Sequence, residues 1–273
     1  MSKRVAVIDI GSNSVRLVVY ERTSRFAFHL LNESKSKVRL SENAYQNDGN
    51  LSKVAMSRTL DALKDFLSII ASYKARKTLC IATSALRDAP NKKEFLQRAK
   101  KELNLNIKII DGQKEAYLGA IACANLLPTQ KESLSIDIGG GSTEFALIND
   151  KDVSNTISLN LGTVRIKELF CDDRKKDEAI KYIDEKLSVL DDLSASTLIG
   201  IGGTFRAVSS AILTRKKHPL NKIHAFSYSA EDLYDYLAQV IDAKDDELKK
   251  LGIKLDRFDV IKPGALILQR VLK

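Results

Sequence analysis

Apolar and polar positions along the 273-residue chain switch repeatedly between two periods. Short apolar runs at Val5–Ile10 and Leu17–Glu21, continued by Arg25–Leu31, predict strands. Leu51, Val54, Ala55, Leu60, Leu63, Leu67 and Ile70 recur at helical spacing and predict an amphipathic helix over Ser52–Tyr73. A strand at Leu79–Ala82, a charged helix at Asn91–Glu102 and a strand at Ile107–Ile110 follow, the last closed by an Asp111-Gly112 turn. A helix from Gln113 to Leu127 then ends at Pro128. Beyond it the series starts again, with strands at Ser133–Ile138, Glu144–Ile148 and Val153–Leu159. A long polar helix over Asp173–Leu193, a strand at Thr197–Ile201 and helices near Thr204–Leu213, Ala230–Ile241 and Asp259–Leu272 complete it. This alternation is that of an α/β protein. It divides into two similar halves between residues 115 and 130, expected as domains 1–120 and 121–273.

The halves also share a motif. Ile8-Asp9-Ile10-Gly11-Ser12-Asn13-Ser14 and Ile136-Asp137-Ile138-Gly139-Gly140-Gly141-Ser142 both read Ile-Asp-Ile-Gly-x-x-Ser, 128 positions apart. Each closes an apolar strand and opens a turn into another. The repeat predicts duplicated half-molecules facing one another across a central cleft.

Eight of the 13 glycines lie in four places: Gly11; Gly139, Gly140 and Gly141; Gly162; and Gly200, Gly202 and Gly203. Three of these places directly follow a strand, where glycine allows a sharp turn and lets backbone N–H groups approach a ligand. Successive exposed N–H groups make an anion-binding concavity, and Ser12, Asn13, Ser142, Thr143 and Thr204 add side-chain donors beside them. The GxxxxGK[ST] phosphate loop is absent, and Gly200-Ile201-Gly202-Gly203-Thr204-Phe205 lacks the last glycine of GxGxxG. Asp9 and Asp137 precede two of the loops and Glu144 follows one. Carboxylates beside phosphate loops commonly hold Mg²⁺, so these three are the candidate metal ligands.

Composition narrows the class. Hydrophobic content of 44% and charged content of 29% are those of a globular protein. No apolar run approaches the roughly 18 residues of a membrane span. The first apolar segment meets Asp9 too early for a signal-peptide core, so a cytoplasmic location is expected. Cys80, Cys123 and Cys171 form no CxxC, and His29, His218 and His224 are the only histidines; a disulfide framework or a zinc site is not expected. The net charge of +9 is one-sided: residues 1–136 hold 23 Lys+Arg against 13 Asp+Glu, net +10, and residues 137–273 hold 21 against 22, net −1. Such a surplus points to an anionic partner.

At these residues the sequence resembles the exopolyphosphatase/guanosine pentaphosphate phosphatase family of the sugar-kinase/actin/Hsp70 superfamily, in its short two-domain form. The resemblance is carried by Val7–Leu17, by Ile136–Glu144, by Ala82–Ala89 with Asn91, by Ser158–Arg165 and by Gly200–Thr204. It implies two actin-like, ribonuclease H-like domains. It also implies Mg²⁺- or Mn²⁺-dependent hydrolysis of terminal phosphate from inorganic polyphosphate, or of the 5′ phosphate of guanosine pentaphosphate, the nucleotide of the stringent response. Glu115, in Lys114-Glu115-Ala116-Tyr117, matches the family's catalytic base, and Arg87 an arginine that holds substrate phosphate. Asp137 and Glu144 match its metal-associated carboxylates. Tyr117 stands where many members have arginine, which leaves the choice between polyphosphate and nucleotide open.

The basic clusters Lys35/Lys37/Arg39, Lys74/Arg76/Lys77 and Lys92/Lys93 with Arg98/Lys100/Lys101 suit a polyanion track. Alternatives are an ATP-dependent small-molecule kinase or a non-catalytic nucleotide-binding protein of the same superfamily. Aromatic content of 6% and the lack of a recognisable module disfavour a nucleic-acid binder, no membrane partner is expected, and a homodimer is compatible with the reading.

Overall fold

A computed structural model describes residues 3–25, 27–128, 132–171, 175–190, 193, 195–219 and 222–273. The chain divides into two compact units, Met1–Asp111 and Gly112–Lys273.

In the first unit, β1 (Lys3–Ile10), β2 (Val15–Arg22) and β3 (Phe28–Ser36) form an antiparallel meander. Helix α1 (Lys53–Ser72) leads back to β4 (Lys77–Ala82), which pairs parallel to β1. The short α2 (Ser84–Arg87), α3 (Lys92–Leu103) and β5 (Lys108–Ile109) follow, giving the strand order β3-β2-β1-β4-β5. Alternate residues Ala6, Ile8 and Ile10 of β1 and Val15, Leu17 and Val19 of β2 are fully buried, as the two-residue pleat requires. They join Met56, Leu60, Leu63, Phe66 and Ile70 of α1 in one core. Ser52 caps α1 by accepting from the Ala55 N–H at 3.1 Å. Val54, which fits the apolar spacing, is 71% exposed. At about 100° per residue it points about 160° away from Met56, to the outer face.

The second unit opens on α4 (Gly112–Leu126) and repeats the meander with β6 (Ser133–Ile138), β7 (Thr143–Asn149) and β8 (Asp152–Leu159). Helix α5 (Thr163–Ile166) runs into a π turn at Lys167–Cys171. Next come α6 (Lys176–Leu187), a 3-10 turn at Ser188–Leu190, and β9 (Thr197–Ile201), parallel to β6. The chain finishes with α7 (Gly202–Arg215), α8 (Ala230–Asp242), α9 (Asp245–Lys250) and α10 (Phe258–Val271). The order β8-β7-β6-β9 matches β3-β2-β1-β4 of the first unit. The duplication expected from a seven-residue motif thus extends to strand order and pairing sense, and the fold is the α/β class expected, in two units with like sheets.

Three expectations change. The expected division at residue 120 falls inside α4, and the units part at Asp111/Gly112 instead. The reason is packing: Ala120, Cys123 and Ala124 of α4 form one cluster with Ala146 and Ile148 of β7, so the helix belongs to the second sheet. Gly112 is accordingly the first residue of a helix rather than the close of a turn. The helix expected over Asp173–Leu193 is the shorter α6 with its 3-10 turn, while residues 172–174, 191 and 192 lie outside the described residues. Helices α2, α5 and α9 are too short, at four to six residues, to print an apolar period. Among the described residues no helix is long and apolar enough to cross a membrane. The charge partition survives the moved boundary: Lys114 and Lys131 offset Glu115 and Glu132, so residues 1–111 still carry +10 and residues 112–273 carry −1.

Candidate active site

The expected phosphate loops all leave the carboxyl ends of parallel strands, the place where open α/β sheets bind ligands. Residues 11–14 follow β1, 139–142 follow β6, and 202–204 follow β9. The first two are the same turn. The Gly11 N–H donates to the Ser14 carbonyl at 3.1 Å, and 128 residues later the Gly139 N–H donates to the Ser142 carbonyl at 3.0 Å.

Each unit braces its loop differently. In the first, the Arg39 and Ser41 N–H groups donate to the Asn13 and Ser12 carbonyls at 2.9 and 3.1 Å. Ser12 is buried, its hydroxyl 3.2 Å from that of Ser84 at the start of α2. Arg87, at the end of α2, donates to the Ile110 carbonyl at 3.4 Å and lies 3.7 Å from the Asp88 carboxylate. The Asn91 amide both donates to and accepts from the Leu51 backbone, at 2.9 and 3.0 Å, tying α3 to the start of α1. Asp9 lies directly across the β1–β2 pair from Arg16. Burial raises its carboxyl above the ordinary range, against the opposing pull of Arg16.

In the second unit the brace is α5. The Thr163 and Val164 N–H groups donate to the Gly139 and Gly140 carbonyls at 2.9 and 2.8 Å, and Arg165 Nε donates to the Gly141 carbonyl at 2.9 Å. The loop carbonyls are thereby committed to a helix start, whose free N–H groups need acceptors. A Cβ on Gly162 would lie 2.4 Å from the Gly140 carbonyl oxygen, so only glycine fits there. Gly202, at φ +87°, has Asp137 Oδ1 2.2 Å from the place its Cβ would take. Here glycine serves both a left-handed backbone and a close approach.

Three carboxylates meet within this unit. Asp137 ends β6, and Glu144 sits directly opposite it on β7. Glu115 is in the first turn of α4, close enough for its charge to act on Glu144. Small residues deliver it: Ala120, Cys123 and Ala124 let α4 lie against β7, and Gly119 faces the Ile201 side chain. Glu144 is only 4% exposed and accepts from the Ser158 hydroxyl at 2.8 Å. Burial first, then the Glu115 charge and also that of Asp137, push its carboxyl up to about 8, against the hydrogen bonds from Ser142 and Ser158. Two buried thiols respond in the same way. Burial and the charge of Asp9 push Cys80 up to about 12, and burial and the charge of Asp137 push Cys123 up to about 11.

Among the described residues no three His, Cys, Asp or Glu side chains form a ready-made metal cage. Asp137 and Glu144 nevertheless suit Mg²⁺, which takes hard oxygen donors, keeps most of its waters and needs only one or two carboxylates. Crowded like charges next to a buried carboxyl are what such a cation relieves.

Of the expected residues, Asp9, Gly11, Ser12, Asn13 and Arg87 lie in the first unit. Glu115, Asp137, Gly139, Gly140, Gly141, Ser142, Thr143, Glu144, Gly202, Gly203 and Thr204 lie in the second. Sequence reasoning gave no role to Ser158 or to Thr163, Val164 and Arg165. All four lie in the family-like Ser158–Arg165 segment, which marked the stretch without singling out a side chain in it.

The Ppx/GppA phosphatase family matches residues 4–273. A bifunctional 3-dehydroquinate synthase/phosphatase of Fusobacterium nucleatum is 34% identical over 98% of this chain, which spans 43% of that longer protein. Exopolyphosphatase 1 of Mycobacterium tuberculosis is 26% identical over 99% of this chain and 81% of its own. The crystal structure of an exopolyphosphatase from Cytophaga hutchinsonii superposes with a TM-score of 0.88 at 27% identity, covering 98% of this chain and 90% of that one.

Proposed function

The chain belongs to the Ppx/GppA phosphatase family, and from that premise we propose that it hydrolyses a phosphoanhydride, releasing terminal phosphate from inorganic polyphosphate or the 5′ phosphate of guanosine pentaphosphate. The observation that carries the reading is the meeting of Glu115, Asp137 and Glu144 beside the Gly139–Ser142 turn within one unit.

Hydrolysis of this kind needs an in-line water and neutralisation of the charge on the transferred phosphoryl group. Backbone N–H groups of the glycine loops hold the terminal phosphate, and Arg87 is the first unit's candidate phosphate contact. Glu115 orients the attacking water and accepts its proton as the new P–O bond forms and the bridging P–O bond breaks, worth about 10²–10⁴-fold. Asp137 and Glu144 would hold Mg²⁺, which would offset phosphate charge as a Lewis acid; Asp9 is the first unit's candidate donor. The basic excess of the first unit draws in the polyanion. Tyr117 bears on the choice between polymer and nucleotide.

The test is phosphate release from polyphosphate, guanosine pentaphosphate and ATP with Mg²⁺, for wild type and Glu115→Gln. Release from one of the first two, lost about 100-fold or more in the variant, is expected. A wild type active only on ATP, or a variant with full activity, sinks the reading.

A further inference from the structure

We infer that Gly264, in the final helix, is a positioning residue that seats two glycine loops of the second unit at once. A Cβ on Gly264 would lie 2.8 Å from Thr204 Cγ2, 2.9 Å from Thr204 Oγ1 and 3.2 Å from Thr163 Cγ2. Two of these distances are shorter than a real side chain tolerates, and neither threonine has room to yield. Thr204 is 1% and Thr163 4% exposed.

Both threonines are joined to loops. Thr204 directly follows Gly202 and Gly203 in the first turn of α7. Thr163 opens α5, and its N–H holds the Gly139 carbonyl. The backbone of α10 at Gly264 therefore presses on both loop brackets, one reached through each threonine. The Thr204 hydroxyl is buried without a hydrogen-bond partner among the described residues, so its position is set by this packing rather than by a polar contact.

The local sequence agrees. Pro263 and Gly264 are the two residue types a helix interior disfavours most, yet they sit side by side in α10 among the buried Val260, Ile261, Ala265, Leu266, Ile267 and Leu268. Helix propensity favours alanine at position 264; the approach to two threonines requires glycine.

The kinetic arm of the test rests on the hydrolase reading, and a second arm does not. Gly264→Ala is made in the wild-type and Thr204→Ala backgrounds, the latter lacking both of the closest atoms. Phosphate release is expected to fall at least tenfold on adding Gly264→Ala to wild type and less than twofold on adding it to Thr204→Ala. Such non-additivity marks direct contact, whereas an equal loss in both backgrounds, or no loss in wild type, overturns the inference. The same cycle is read by amide hydrogen exchange at residues 139–143 and 203–205, with faster exchange expected only for Gly264→Ala in the background that keeps Thr204. That arm needs no turnover, so an inactive wild type would sink the hydrolase reading and leave this one to be judged on exchange. If Gly264→Ala does not fold, circular dichroism of the double variant decides. A folded double variant supports the contact, and an unfolded one overturns it.

Discussion

Arg16 and Glu144 occupy the same place in the two repeats. Arg16 faces Asp9 across the β1–β2 pair, and Glu144 faces Asp137 across the β6–β7 pair. The duplicated turn is thus charge-balanced in the first unit and doubly acidic in the second, where the charge of Glu115 is added. The shared backbone supplies the frame, and the change from Arg16 to Glu144 makes the charge beside the two turns unlike.

This asymmetry separates the two aspartates. Adding Mg²⁺ to metal-free protein is expected to raise the melting temperature by a few degrees, by favouring the state that binds it. Asp137→Asn should abolish that rise. Asp9→Asn should keep at least half of it, because Asp9 already has a cationic neighbour. Equal losses in scanning calorimetry would mean that Arg16 does not distinguish the two sites.

Glu144 makes stability depend on pH. Its carboxyl titrates near 8 in the folded chain against an ordinary 4.5, so the folded state keeps a proton that the unfolded state releases. Below pH 4.5 this costs nothing. The cost grows as pH rises toward 8 and is constant above it. In chelator, Glu144→Gln should match wild type near pH 4 and melt at least about 2 °C higher at pH 8.5, since about 1 kcal/mol is worth 2–4 °C at this size. The glutamine keeps an oxygen for the Ser158 hydroxyl. A variant less stable than wild type at pH 8.5 would contradict the assignment.

Gly162→Ala should act through the Gly140 carbonyl, 2.4 Å from the new methyl. The backbone on both sides is hydrogen-bonded and cannot yield freely, so a loss of about 1–3 kcal/mol is expected, as for other overpacked interiors. Urea unfolding measures it. An unchanged midpoint would show that the 139–142 turn is looser than its hydrogen bonds indicate.

The thiols provide a check on burial. Cys80 and Cys123, pushed up to about 12 and about 11, carry almost no thiolate at pH 8. In Cys171→Ser protein neither should react with a thiol reagent until denaturant is added, whereupon two equivalents react. Rapid reaction in the folded state would place at least one of the thiols at the surface.

Much of the site could be read in the sequence because its signals are local. A strand, an aspartate, a glycine turn and a hydroxyl follow one another within seven residues, twice, and the hydrogen bonds of the turn close within four. Whatever depends on distant packing was hidden. Helix α4 carries its small residues inward and exposes Tyr117 and Leu118, so its apolar pattern does not reveal that it belongs to the following sheet. The Ser158–Glu144 bond spans 14 residues and the Gly264–Thr204 approach spans 60. Neither leaves a periodic trace. Asn91 lies in a segment that resembles the family's, and its side chain ties two helices together.

The position of α10 has a consequence for how the protein is made. Every residue expected to handle phosphate has been synthesised by position 204, and the first unit, being continuous, can fold while the second is still on the ribosome. Two of the glycine loops must nonetheless wait for residues 258–271, because the helix that seats them is synthesised well after Thr204, the last residue of either loop. A premature stop at codon 258 would leave all the reactive groups in place and remove their support.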